Sequence, residues 1–282
     1  MARPHIEFIQ AQCLDWQPEE GLPGAWRKVL SCDDESGAMT LLQKIDADFH
    51  FGDARPLAAG EEFYVLGGSY YLNGYEYSAG CYGYFPAGSE RRDCYSPRGA
   101  VLLRMFDHAP VPAGEDPTGT AERAHDRPAI PFVDAYRMVW DRSILDHRLA
   151  ALLPARKILR LDPVTGQKTF LFMTAPQTHP ISWAGPLESH PTPEEAFLIA
   201  GDLTGPCGTM QAGAYFWRPP HIAHGPFGSR AGSLSLIRFV DGVHENIWSE
   251  ETEPFSYQRP YRPILPPALR EIARPLRMRE PW

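Results

Sequence analysis

Apolar residues in this chain come in short segments rich in Tyr, Phe, Leu and Val, separated by polar turns that carry Pro and Gly. Met39 to Ile45 and Thr169 to Thr174 are two such segments, and Pro and Gly number 29 and 24. Short strands closed by residues that fix φ or permit φ > 0 predict an all-β barrel or sandwich. Helical spacing is offered in few places. Val133, Tyr136, Met138, Val139, Ile144, Leu145 and Leu149 fit a short helix within 132–150. The Pro- and Arg-rich tail from Pro254 to Trp282 predicts another near Pro267–Arg274.

The pattern occurs twice, and a repeat of this kind sets the domain organisation. Arg27-Lys28-Val29-Leu30 leads to Asp33 and Gly37; Arg156-Lys157-Ile158-Leu159 leads to Asp162 and Gly166, 129 residues later. The offset then becomes 133: Glu61-Glu62 pairs with Glu194-Glu195, Gly68 with Gly201, Gly80 with Gly213, Tyr82 with Tyr215 and Pro86 with Pro219. Recurring Gly and Pro mean recurring turns. Copy one spans about 26–107 and copy two about 155–242, with a loop or linker over 108–125. The expected division is residues 1–125 and 126–282.

Composition narrows the function classes. Of 282 residues 43% are hydrophobic, enough for a sizeable core, and the net charge of −8 without a long basic run argues against nucleic acid or an anionic membrane as partner. No apolar run is long enough to span a bilayer, and the N-terminus lacks the apolar stretch of a signal peptide, so a cytoplasmic protein is expected. Five scattered cysteines without a CxxC pair read as reduced thiols.

Candidate chemistry gathers in copy two. Glu188 and His190 share one face of a strand, Glu194 opens the next, and His224 follows the turn containing Pro219 and His221. His190, Glu194 and Gly201, then Gly213, Pro219 and His224, resemble the two motifs of the cupin superfamily. Glu188 stands where the first motif has a histidine, and His221 where the second has a glycine. Copy one retains Glu61, Gly68, Gly80, Pro86 and Gly88, but Arg55, Leu57 and Arg91 occupy the histidine positions. The chain therefore resembles a bicupin, two tandem double-stranded β-helix (jelly-roll) barrels. Its wording is nearest to the cupin part of zinc-binding anti-sigma factors.

The resemblance implies a degenerate first site and a metal site in the second, formed by His190, Glu194 and His224. A 2-His-1-carboxylate set favours Fe(II), with Mn(II), Ni(II) and Zn(II) as alternatives. Glu188 is a fourth ligand, an outer carboxylate orienting a histidine, or the general base. His221 is expected at the rim, and His179 in a loop at the barrel mouth. In copy one a buried Glu61 without imidazoles needs another partner, and Arg91 or Arg55 is expected to supply it. The function expected is a metal-dependent oxygenase (dioxygenase) cleaving a small organic substrate. A non-oxidative lyase, isomerase or hydrolase, and a non-enzymatic sensor, are the alternatives. A homodimer is expected, with no nucleic-acid or membrane partner.

Overall fold

The computed structural model describes residues 3–115, 127–143, 146–177, 179–180 and 182–276. Residues 116–125 of the expected linker, Ile144 and Leu145 of the expected helix, and the last six residues of the tail lie outside them.

The repeated sequence blocks are repeated turns. Asp33 Oδ1 accepts from the Glu35 amide at 2.9 Å, and Asp162 Oδ1 accepts from the Val164 amide at 2.9 Å. Each aspartate carbonyl also accepts from the glycine four residues on, Gly37 or Gly166. Gly68 and Gly201 both adopt positive φ, and a Cβ there would meet the carbonyl oxygens of Gly99 and Gly232 at 2.1 and 1.9 Å. Only glycine fits that crossing in either copy. Tyr82 donates to Glu62 at 2.7 Å as Tyr215 donates to Glu195 at 2.8 Å.

The chain divides into two units, Asp15–Met138 with Met1–Arg3, and Val139–Trp282 with Pro4–Leu14. In the first, antiparallel strands Ala25–Cys32, Met39–Ile45, Ala100–Phe106, Glu61–Leu72 and Cys81–Phe85 lie side by side. Phe49–Ala54, Tyr75–Ser78 and Arg91–Ser96 extend that sheet around the barrel. In the second unit Ala155–Leu161, Lys168–Thr174, Ser233–Phe239, Glu194–Gly205 and Ala214–Arg218 repeat the order. Ala184–Ser189 pairs separately with Ile247–Pro254. The fold is all-β, as expected.

The leading strands are exchanged, which the 129- and 133-residue offsets did not reveal. Ile6–Gln10, ahead of the first barrel, pairs with Ala214–Arg218 of the second unit. Ile130–Asp134, ahead of the second barrel, pairs with Cys81–Phe85 of the first. The registers correspond: Ile6 faces Trp217 as Ile130 faces Tyr84, and Ile9 faces Tyr215 as Val133 faces Tyr82. The repeat thus includes Ile6/Ile130, Phe8/Phe132 and Ala11/Ala135, at an offset of 124. Every residue of Ile6–Gln10 is buried, and Phe8 packs with Ala196, Leu198 and Phe216. Burying one phenylalanine contributes about 2–3 kcal/mol.

The expected helix within 132–150 is therefore replaced by the end of a strand and two 3₁₀ segments, Ala135–Arg137 and His147–Leu152. Sheet pairing with Cys81–Phe85 overrides the local spacing. The tail does form its short helix, Pro267–Ile272. No helix among the described residues is long and apolar enough to cross a membrane.

Candidate metal centre

Four candidate residues are brought together at one cavity of the second unit. Glu188 lies on Ala184–Ser189, His190 directly follows it, and Glu194 opens Glu194–Gly205. His224 is held opposite Glu188 by a two-way backbone bridge, 3.0 Å from the Glu188 amide to the His224 carbonyl and 2.9 Å in return. Ligand-type atoms of Glu188, His190 and His224 all lie within 4.8 Å of one another. Nε2 of His190 and of His224 stand 3.8 and 3.7 Å from the same Glu194 oxygen, too far for hydrogen bonds.

The imidazole tautomers follow from their outer partners. Nδ1 of His190 faces the Glu245 carbonyl at 2.9 Å, and Nδ1 of His224 faces the Ile222 carbonyl at 2.9 Å. A carbonyl only accepts, so each Nδ1 carries the proton and each Nε2 turns a lone pair to the centre. Burial and the nearby Arg218 charge push His224 down to about 4, which keeps its ring neutral near pH 7.

Arg218 is the residue that motif reasoning missed. Its Nη1 donates to Glu194 at 2.7 Å, while Nε and Nη2 grip Glu7 at 2.6 Å each. Glu7 comes from the exchanged first strand. Burial raises the Glu194 carboxyl, but Arg218, with His190 and His224, outweighs it and holds the group below its ordinary range. Glu7 is brought down to about 2 in the same way. Glu188 has no such partner: burial and the Glu194 charge push it up to about 8.

Charge decides what fits here. Fully ionised, Glu7, Glu188 and Glu194 share one directly bonded guanidinium, so two carboxylate charges exceed what Arg218 itself balances. A divalent cation would neutralise them, and two Nε2 lone pairs with carboxylate oxygens are donors such a cation accepts. The residues present therefore fit a metal, held by His190, His224 and Glu188, with Glu194 in reach of both imidazoles.

The cavity around them measures about 380 Å³ and is walled by Phe170, Phe172, Phe216, Phe227 and Phe239. A third imidazole, His244, stacks on Phe239 at 3.9 Å and lies 5.4 Å from His190. It was not anticipated, because it follows the last motif. His221 is exposed and does not line the cavity; its amide donates to the His190 carbonyl at 2.7 Å. His179 stacks on Trp183 at 4.0 Å and does not line the cavity.

In the first unit, Glu61 is bonded by the Arg91 guanidinium and, at 2.5 Å, by Nε of Arg104. Arg91 does what was expected of it. Arg55 does not: it meets exposed Glu115 at 2.9 Å. Arg104 takes its place from the Ala100–Phe106 strand, where the second unit has Ile237.

Residues 5–111 match the family described as the ChrR cupin-like domain. Among solved structures the chain is similar to a candidate dioxygenase from Nostoc punctiforme, with 18% identity over 90% of this chain and 88% of that one and a TM-score of 0.70. It is also similar to a candidate glyoxylate-induced protein from Pseudomonas aeruginosa, with 12% identity, coverage of 86% and 91%, and a TM-score of 0.60. An oxalate decarboxylase follows at 14% identity, 88% and 80% coverage, and a TM-score of 0.53. No curated protein matches the chain. At these identities the likeness is one of fold. The chain has the bicupin fold, two tandem barrels of cupin type, and its residues 5–111 match the ChrR cupin-like domain.

Proposed function

We propose that this chain is a mononuclear metal-dependent enzyme acting on a small organic molecule in its second barrel, with Fe(II)-dependent oxidative cleavage as its reaction. The observation that carries this is the convergence of Glu188, His190 and His224 in the lining of an aromatic-walled cavity. A bound divalent metal would supply Lewis-acid chemistry and, as iron, electron transfer with oxygen. The protein's own groups do the rest. Backbone carbonyls fix the imidazoles, Arg218 fixes Glu194, and the phenylalanines exclude water and orient an apolar substrate body. Glu188 either completes the donor set or accepts the substrate proton on its carboxylate. Glu188→Gln separates the roles: a general base leaves metal content intact when replaced, whereas a ligand does not.

Metal content of the purified protein, measured by plasma mass spectrometry beside a His190→Ala/His224→Ala variant, tests the proposal. Near-stoichiometric metal that disappears in the variant supports it, and iron directs the assays to oxygen uptake. Absence of metal from both proteins after reconstitution with Fe(II) sinks it. The ChrR-type match of residues 5–111 favours a second reading, a small-molecule sensor. Ligand binding without turnover by the metal-loaded protein would move the weight there.

A further inference from the structure

The cavity also has a cationic wall. Arg156 on Ala155–Leu161 and Lys168 at the start of Lys168–Thr174 line the same space as Glu188, His190 and Glu194. Both side chains are partly buried, and Nε of Arg156 is buried without a hydrogen-bond partner. Among the described residues neither cation has a carboxylate within ion-pair distance. Asp141, which senses the Arg156 charge, already accepts from the Ser143 hydroxyl and amide at 2.6 and 2.8 Å. Asp146, which also lines the cavity, accepts from Trp248 at 2.9 Å and from the Arg148 amide at 2.8 Å.

Two neighbouring cations turned into one partly enclosed space repel each other and lose hydration. Lys168 shows both effects, since burial and the Arg156 charge lower its pKa. A ligand carrying negative charge would relieve them. Period-two alternation puts Lys168, Phe170 and Phe172 on one face of their strand, and all three line the cavity. Phe170 stacks toward His244 at 6.0 Å, and His244 lies 5.4 Å from His190. The cationic wall is thus joined to the imidazole cluster by an apolar surface one or two rings wide.

We propose that Arg156 and Lys168 hold the carboxylate of a small organic acid whose apolar body lies along Phe170 and Phe172 and reaches His190 and His224. A guanidinium and an ammonium lining one partly enclosed space suit a carboxylate, through charge-assisted bonds. A cavity of about 380 Å³ is at the small end for ligand sites, which limits the acid to one ring or a short chain. This deepens the metal-dependent reading and rests on it for what happens at the far end of the molecule.

The test is calorimetric titration of the full-length protein, metal-loaded and metal-free, with acetate, pyruvate and phenylacetate and with the neutral amide of each. Arg156→Gln and Lys168→Met are titrated alongside, and the metal content of every sample is recorded. At least one acid is expected to bind wild type more tightly than its amide. Arg156→Gln should weaken that acid roughly tenfold or more and leave the amide unchanged. Metal content should be the same in both variants as in wild type. The inference is overturned if no acid binds better than its amide, or if both variants bind acid as wild type does. Acid selectivity in a protein that takes up no metal would overturn the metal reading and leave the carboxylate site standing.

Discussion

The two barrels answer one physical problem in different ways. Each buries a glutamate at the start of its longest strand, Glu61 or Glu194. In the first, Arg91 and Arg104 surround the carboxylate, so a protein cation stands where a metal would. In the second, one arginine is divided between Glu194 and Glu7, two imidazoles turn their lone pairs inward, and Glu188 adds a carboxylate to which no arginine or lysine is bonded among the described residues. The difference shows that a buried acid can be satisfied wholly by the protein's own cations, as in the first barrel, or left with charge that a ligand could complete, as in the second.

The largest expected effect comes from removing the guanidinium of the second barrel. Arg218→Met leaves Glu7 and Glu194 buried without their cation and is expected to cost about 3–5 kcal/mol in urea unfolding. Arg104→Met leaves Glu61 with Arg91 and should cost less, about 1–3 kcal/mol. Equal losses would break the comparison. Next comes acid sensitivity. Glu7 is held at about 2 against an ordinary value of 4.5, so its contribution is whole above pH 4.5 and is lost as pH falls through about 2. Glu7→Gln should therefore be less stable at pH 7 and show a flatter loss between pH 4.5 and 2; an unchanged slope in acid unfolding would show that Arg218 does not need Glu7.

A smaller effect concerns the unbalanced carboxylate. With Glu188 at about 8, metal uptake at pH 7 should release about one proton per metal, and Glu188→Gln should release none. Calorimetry in buffers of different ionisation enthalpy counts that proton, and equal release by the two proteins would remove Glu188 from the charge balance. The smallest effect is a null. Arg91→His should gain no metal by mass spectrometry, because Arg104 still neutralises Glu61 and Leu57 stands at the other imidazole position. A second metal per chain in that variant would mean that one histidine is enough.

Much of this was readable from residue spacing. Gly68/Gly201 and Asp33/Asp162 announce the repeat because backbone geometry restricts those positions. Glu61 without histidines implied an arginine, and Arg91 supplies one. Arg218 was hidden because an arginine before Pro219 and Pro220 looks like a solvent-facing turn residue. Only its burial against Glu7, 211 positions away, gives it a role. Arg104 was hidden by its place in an apolar strand. The exchanged strands escaped because a few matched residues at a third offset carry too little signal, and the spacing of 132–150 also fits a helix.

Strand exchange also has a temporal consequence. A ribosome would release Ile6–Gln10 some 200 residues ahead of its neighbour Ala214–Arg218. At roughly 5–20 residues per second that is a delay of roughly 10–40 s, during which an apolar strand with unmet backbone groups is without its sheet. Ile130–Asp134 has no such wait, because Cys81–Phe85 precedes it. The sheet of the second barrel, and the grip of Glu7 on Arg218, can be completed only once Ala214–Arg218 has been made, so the first barrel can close before the second.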